Sequence, residues 1–307
     1  MRLDELGERE IVERLRSLLR SPPEKLTALQ EDAEVFEFSG LLAVTVDMNM
    51  AGNHFQSNNP EVIGAKNVVS AATDLLAKGA LPKYLLTSLG VPADYGIEFV
   101  EALYAAMDSK LKELDAFLIG GDTVEAKELT IANTFIGKTE KPLLRSNMQT
   151  GDYIVLTGEV GSAALGYTMF KQKLVPEEPF VAAQLSPSID FELCKRIIPN
   201  ANAGIDISDG LGFELNELAK QSNKKIVINE DKLPVNPRLY SYCAEHNLDA
   251  DKLIFHSGED YQVVYSTPNA EGGIVIGRVE EGSGVSLVRK TGAEETLGNG
   301  GWQHFTL

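Results

Sequence analysis

Along the first twenty residues, apolar side chains return at Leu6, Ile11, Val12, Leu15 and Leu18 among charged neighbours. That spacing predicts an amphipathic helix over residues 4–19. Ser21-Pro22-Pro23 stops it, because proline cannot continue the hydrogen-bond ladder. Two short apolar runs, residues 33–38 and 41–46, then read as strands around a turn at Gly40. Pro60 opens a helical stretch through Ala65, Val69, Ala72 and Leu76, and Gly79 closes it. Residues 83–89, 116–119 and 129–136 read as strands, and 96–113 as a helix. Further on, 153–158 predicts a buried strand running into a glycine turn, with helices over 162–171 and 208–221. Residues 226–228, 262–265 and 273–277 complete the set as strands. The order is not a strict alternation, so the pattern predicts an α+β or mixed α/β chain. The polar stretches 138–142 and 147–151 look connective and divide the chain into residues 1–140 and 141–307.

Composition narrows the partners. In 307 residues, Lys plus Arg make 28 and Asp plus Glu 45, a net charge of −17. A chain that wraps nucleic acid needs clustered cations, and none is present. Hydrophobic residues at 43% and charged residues at 24% describe an ordinary folded protein. No run of about 18 apolar residues offers a membrane span. The charged start, MRLDELGEREIVERL, lacks the apolar core of a signal peptide. The two cysteines, Cys194 and Cys243, lack metal-pair spacing and suit a reduced cytoplasm as small core residues.

The candidate chemistry lies in aspartates set against apolar runs. Asp32 precedes a strand-like run, Asp47 ends the run 41–46, and Asp74 interrupts an apolar helix. Asp122 follows Gly120-Gly121, and Asp206 and Asp209 bracket Ile207-Ser208. Carboxylates in apolar surroundings are costly unless paired or bound to a cation. Each one alone has a plain alternative as a cap, a turn former or a salt-bridge partner, and Ser208-Asp209-Gly210 looks like the opening of a helix. As a set without nearby Lys or Arg, they point to a hard cation, Mg²⁺ or Mn²⁺. Mg²⁺ is commonly shared with phosphates. Gly120-Gly121, the amides around Ser208, and Arg145 suit phosphate oxygens. Phosphoryl transfer is the chemistry these residues favour. The standard glycine-loop phosphate motifs and the G-x-S-x-G nucleophile elbow are absent.

At these residues the chain resembles the thiamine-monophosphate kinases. They belong to the superfamily of aminoimidazole-ribonucleotide synthetase, selenophosphate synthetase and the hydrogenase-maturation carbamoyl dehydratase. The matching segments run in order: Leu6-Gly7-Glu8, Asp47 through Ala51-Gly52-Asn53-His54-Phe55, Thr73-Asp74-Leu75 with Gly79-Ala80, and Ile119-Gly120-Gly121-Asp122-Thr123. Arg145-Ser146, Gly151-Asp152, Thr157-Gly158 and Ile205-Asp206-Ile207-Ser208-Asp209-Gly210-Leu211 follow. Ser257-Gly258-Glu259-Asp260-Tyr261 and Gly301-Trp302-Gln303-His304-Phe305 complete them. The resemblance implies transfer of the γ-phosphoryl of ATP to thiamine monophosphate, giving thiamine diphosphate and ADP. It implies a two-domain homodimer whose N-terminal sheets pair across the two-fold axis, with a C-terminal α/β domain closing over the site. It also implies Asp32, Thr45, Asp47, Asp74, Asp122, Asp206 and Asp209 as Mg²⁺ ligands, and Gly121, Asp122, Arg145 and Ser208 as nucleotide contacts. His54, Glu259 and Trp302 would meet thiamine monophosphate, and Asp206 and Asp209 would be essential to turnover. An indole face can stack on a cationic thiazolium, and a glutamate complements the same charge.

The chain also departs from the family pattern. Gln30-Glu31-Asp32 stands where Gly-Asp-Asp is usual, Val46 replaces a threonine and Ala71 an asparagine. Residues 185–190 lack the family's arginines, and Asn147-Met148 replaces Gly-Ala. Two other readings therefore stay open at this point: another ATP-dependent enzyme of the superfamily, or a non-catalytic nucleotide- or thiamine-phosphate-binding protein. The lack of an N-terminal or C-terminal reactive cysteine counts against the selenophosphate and hydrogenase-maturation branches.

Overall fold

In the computed structural model, residues 1–6, 8–23 and 38–302 are described. The expected strand over 33–38 lies outside them except for Phe38, and so do Gln30-Glu31-Asp32, Gly7 and the tail after Trp302. The chain divides into two units, Met1–Leu75 with Ala80–Glu140, and Leu76–Gly79 with Lys141–Leu307.

In the first unit the amphipathic start forms α1 (Leu3–Leu6) and α2 (Glu8–Leu18). Ile11 and Leu15, one turn apart, are its buried face. Next come β1 (Leu41–Met50), α3 (Pro60–Ala77), β2 (Leu81–Val91), α4 (Ile97–Glu113), β3 (Phe117–Glu125) and β4 (Thr130–Thr139). The strands form a sheet ordered β1-β4-β2-β3, antiparallel except for the parallel pair β2/β3. One face carries Leu85, Leu89, Ile131 and Phe135, all fully buried. Helices α3 and α4 cover that face, and Gly64 lets them meet closely: a Cβ there would lie 2.5 Å from the Leu103 carbonyl oxygen.

Strand β1 is reversed relative to that scheme. Its α3-facing positions are Thr45, Asp47 and Asn49, whereas Leu42, Val44, Val46 and Met48 point away and are exposed, Val46 at 64%. Two expected boundaries also move. Asp47 lies inside β1 and not at its end, because the strand continues through Met50. Asp122 lies within β3, not after it, because Gly120-Gly121 pairs with Leu86-Thr87 beyond a bulge at Ile119.

The second unit contains β5 (Tyr153–Leu156), α5 (Ser162–Gln172), α6 (Glu178–Leu185), α7 (Phe191–Ile197), β6 (Ala203–Asp206), α8 (Leu211–Ser222) and β7 (Lys225–Asn229). Then follow α9 (Pro237–His246), α10 (Ala250–Phe255), β8 (Val263–Thr267), β9 (Ile274–Glu280), β10 (Gly284–Val288) and β11 (Glu294–Thr296). The sheet order is β11-β10-β7-β9-β5-β8-β6, with β10/β7 the parallel pair. Ile154, Leu156, Ile205, Val264 and Ile228 pack in one core with Leu211, Leu215 and Leu218 of α8. Both cysteines are buried and free, as small core residues. Burial pushes the Cys194 thiol up to about 12.

The helix expected from Ser208 begins at Leu211 instead. Gly210, at φ 133°, occupies its N-cap without a side-chain cap bond. Ser208 and Asp209 therefore belong to the loop leaving β6.

Candidate functional site

In the first unit, one row of facing residues crosses the whole sheet: Asp47 on β1, Asn133 on β4, Thr87 on β2 and Gly121 on β3. Polar side chains in this row are linked. Thr87 Oγ1 donates to Asn133 Oδ1 at 2.8 Å, and Asn133 Nδ2 donates to the Asn67 carbonyl at 3.0 Å. Asp47 Oδ2 accepts from Ser70 Oγ at 2.5 Å and from Asn49 Nδ2 at 3.0 Å. Asp74 stands one helical turn beyond Ser70, and its Oδ2 accepts from Thr45 Oγ1 at 2.6 Å. Thr45 and Asp47 share a strand face while Ser70 and Asp74 share a helix face, so the two carboxylates are neighbours.

Gly121 needs to be glycine. A Cβ there would lie 1.8 Å from the Thr87 carbonyl oxygen. Asp122 pairs with Ser88, one position past the Asp47 row, and is exposed. Neighbouring strands are about 4.8 Å apart, so three strand intervals put β3 roughly 14 Å from β1. Ligands of one Mg²⁺ lie at about 2.1 Å from it. Asp122 and Asp47 of one chain therefore cannot grip the same ion.

His54 sits in the turn after β1. Its Nδ1 accepts from the Met50 N–H at 3.1 Å, and Lys66 Nζ donates to its carbonyl at 3.3 Å. With Nδ1 accepting, the ring's donor position is Nε2.

The second unit gathers the remaining residues. Asp206 ends β6 and is buried. The loop after it runs against residues 257–262: Glu259 N–H donates to the Ser208 carbonyl and Tyr261 N–H to the Ile207 carbonyl, both at 3.0 Å. The approach is so close that a Cβ on Gly258 would lie 1.7 Å from the Ser208 carbonyl oxygen. Glu259 and Tyr261 take left-handed backbone conformations, φ 71° and 47°, which L-residues adopt at a cost. Glu259 Oε2 accepts from Gln184 Nε2 on α6 at 2.5 Å. The Trp302 backbone N–H donates to the Asp209 carbonyl at 2.9 Å, and the residue is 53% exposed.

Arg145 lies in a short 3₁₀ turn whose carbonyl accepts from Ser222 Oγ at 2.6 Å. Near it is Glu214, in the first turn of α8, whose Oε1 accepts from the Asp209 N–H at 3.2 Å. Glu214 is pushed up to about 8, first by burial and then by the charge of Asp206. The hydrogen bond from the Asp209 N–H opposes the rise, the Asp209 charge adds to it, and Arg145 opposes it. Among the described residues, no three His, Cys, Asp or Glu side chains alone surround a cation. In the first unit Asp47 stands with Asp74 and Asp122 lies apart on β3; in the second unit Asp206 and Asp209 flank one loop beside Glu214. Asp32 lies outside the described residues.

Comparison with known proteins decides the lineage. Residues 30–139 match the family model of the AIR synthase related protein, N-terminal domain. A thiamine-monophosphate kinase from Aquifex aeolicus is 31% identical over 99% of this chain and all of its own length. The chain belongs to the thiamine-monophosphate kinase family. A family member from Pyrococcus horikoshii is 35% identical over 91% of both chains. A solved structure described as AaThiL complexed with AMPPCP and TMP is 28% identical, covers 99% of each chain and superposes with a TM-score of 0.77.

Within this thiamine-monophosphate kinase chain, the sequence reading passed over three residues that the structure brings forward. Glu214 faces Asp209, but in sequence it is simply an acid in a first helical turn. Gln184 holds Glu259 across 75 positions of sequence, which no local pattern reveals. Asp260 is buried, with both oxygens 3.0 Å from the Gly161 N–H at the start of α5. Its position between Glu259 and Tyr261 within a quoted motif was the available signal.

Proposed function

We propose that this chain catalyses ATP-dependent phosphorylation of thiamine monophosphate to thiamine diphosphate. One observation carries the reading. The 2.9–3.0 Å main-chain bonds to Ser208 and Asp209 bring Glu259 and Trp302, the groups suited to a thiazolium cation, beside the carboxylates suited to a phosphate-bound cation. The relatives named for that activity and the neighbour bound to AMPPCP and TMP support it.

Magnesium fits the donor set. The candidates are carboxylate and hydroxyl oxygens, the hard donors that Mg²⁺ prefers, and Asp206, Asp209 and Glu214 place three carboxyl groups around the loop leaving β6. Mg²⁺ typically takes one or two carboxylates and completes its shell with water and phosphate, so pairs of acids suffice where no trio exists. Asp47 with Asp74, Asp122, Asp206 and Asp209, together with Asp32 and the Thr45 oxygen, are the assigned holders. When bound, the ion neutralises phosphate oxygens and withdraws charge from the transferring group.

The chain's own residues then have limited work. Gly121 lets a phosphate approach the backbone, Arg145 offers a forked donor, and Ser208 and Asp122 orient the nucleotide. His54 Nε2–H suits an oxygen of the acceptor phosphate, Trp302 the thiazolium face and Glu259 its charge. An acceptor phosphate oxygen attacks the γ-phosphorus in line. The new P–O bond forms as the bond to the β-phosphate oxygen breaks, and ADP leaves. That oxygen is already anionic near neutrality, so no general base is assigned and catalysis lies in positioning and charge neutralisation.

Residues 1–140 serve as the ATP- and metal-binding and dimerisation domain, with His54 for the acceptor, and residues 141–307 as the domain that closes the active site and adds Arg145, Asp206, Ser208, Asp209, Glu259 and Trp302. The homodimer is supported by the exposed row Leu42, Val44, Val46 and Met48, which a second copy would cover. No helix among the described residues is long and apolar enough to cross a membrane, and a cytoplasmic setting suits two free buried thiols and an ATP-dependent reaction. The test is direct. Purified protein with ATP, Mg²⁺ and thiamine monophosphate yields thiamine diphosphate and ADP in equal amounts. Tight binding of both substrates without product refutes the assignment in favour of a binding protein.

A further inference from the structure

We propose that Asn49, Asn67 and Ser70 are positioning residues that set the Asp47 carboxylate for the magnesium–nucleotide complex. The proposal rests on the reading of Asp47 as a ligand. It comes from the reversed strand. Beneath α3, where a covered sheet face is ordinarily apolar, β1 places Thr45, Asp47 and Asn49. Asn67, Thr87 and Asn133 beside them are fully buried. Buried polar groups are costly unless each is satisfied, and a fully satisfied network fixes one arrangement.

The bonds here admit one assignment. The Thr87 hydroxyl donates to Asn133 Oδ1, which turns Asn133 Nδ2 onto the Asn67 carbonyl. Asn67 Nδ2 is committed to the Ile63 carbonyl at 2.9 Å, so Asn67 Oδ1 is the acceptor for Asn49 Nδ2 at 3.1 Å. Asn49 also donates to Asp47 Oδ2, where Ser70 Oγ converges. Two donors on one oxygen define the plane of the carboxylate. Ser70 is further tied by its carbonyl, which accepts from Thr73 Oγ1 at 2.9 Å. The chain of bonds starts at Thr87, the residue pressed against Gly121, and ends on Asp47. It therefore joins β2, the strand paired with Gly121, to the carboxylate proposed to meet the cation. A network serving stability alone has no need to terminate on an anion with this orientation.

The experiment uses the full chain with Ser70→Ala and Asn49→Ala, and Asp47→Asn as reference. Readouts are the Mg²⁺ dependence of binding a non-hydrolysable ATP analogue by calorimetry, the Mg²⁺ dependence of turnover, and the melting temperature. Removing outer-shell partners of a ligand typically weakens metal affinity by about tenfold or more. Ser70→Ala and Asn49→Ala are expected to raise the Mg²⁺ requirement of analogue binding by about that factor, with turnover at saturating Mg²⁺ within about twofold of wild type. Ser70→Thr, which keeps the hydroxyl, restores the wild-type requirement. Thr168→Ala, which removes a comparable helix hydroxyl bonded at 2.8 Å to the Ala164 carbonyl, leaves it unchanged. A lowered melting temperature with an unchanged Mg²⁺ requirement overturns the proposal and leaves a purely structural network. An Asp47→Asn chain that binds the analogue with wild-type Mg²⁺ dependence overturns the assignment of Asp47 itself, a separate failure.

Discussion

Asp260 offers a quantitative test of the loop that holds Glu259. Its side chain is buried, and both oxygens accept from Gly161 N–H at 3.0 Å where α5 begins. Burial raises its pKa from 3.8 to about 7. The Gly161 and Ala163 amides oppose that rise, and Glu159 and Glu259 add to it. Between those values the folded chain keeps a proton that the unfolded chain has released. The Asp260 contribution to stability is therefore fully present below about pH 3.8, is lost as pH rises towards 7, and is level above. Each pH unit in that interval costs about 1.4 kcal/mol, or about 4 kcal/mol over the whole shift. Asp260→Asn keeps the shape and removes the titration. Urea unfolding of both full chains, followed by far-ultraviolet circular dichroism at a series of pH values, cancels every other titrating group. The variant is expected to gain about 3 kcal/mol relative to wild type between about pH 5 and pH 8. Parallel pH profiles, or a change in the opposite direction, would falsify the reasoning that Asp260 is held neutral by burial.

Three other outcomes follow from the same structure. Gly258→Ala forces a Cβ to within 1.7 Å of the Ser208 carbonyl oxygen, so steady-state kinetics should show at least tenfold weaker use of thiamine monophosphate; wild-type kinetics would mean the loop yields freely. Val46→Lys places a charge in the exposed apolar row of β1, where Val46 is 64% exposed, and light scattering should report a monomer with an intact circular-dichroism spectrum. A persisting dimer would move the interface elsewhere. Asp209→Asn is expected to lower turnover by at least about a hundredfold with the melting temperature within a few degrees of wild type, and near-normal turnover at saturating Mg²⁺ would remove Asp209 from the reaction.

Much of this fold is legible in local pattern. The Pro60–Ala77 helix is announced by its proline and by Gly79, and β2, α4 and β4 differ from the expected segments by a few residues at their ends. What local pattern does not carry is the direction of a face. The alternation along β1 marks Leu42, Val44, Val46 and Met48 as the apolar side, and the usual inference buries that side under a helix. Here the polar side is under α3, because Asn67 and Ser70 supply partners from another part of the chain. The helix starts at Leu211 and not at the expected Ser208 for a related reason. Ser208 and Asp209 have capping side chains, but their backbone is occupied by Glu259 and Trp302, and Gly210 makes the turn instead. Gln184 and Glu214 escaped notice because their meaning lies in distant or non-periodic contacts with Glu259 and Asp209.

The left-handed backbone at Glu259 and Tyr261 has a consequence for how this chain changes under selection. Such a conformation costs a side-chain-bearing residue on the order of 1 kcal/mol, and glycine is relieved of that cost. Selection for heat resistance alone would favour glycine or asparagine at 259, erasing the carboxylate that Gln184 holds. If Glu259 binds the acceptor as proposed, affinity and stability pull this position in opposite directions. It also means that alanine at 259 would alter charge and leave the strain in place, whereas glycine would alter both. Comparing those two replacements separates what the loop contributes as a shape from what it contributes as an anion.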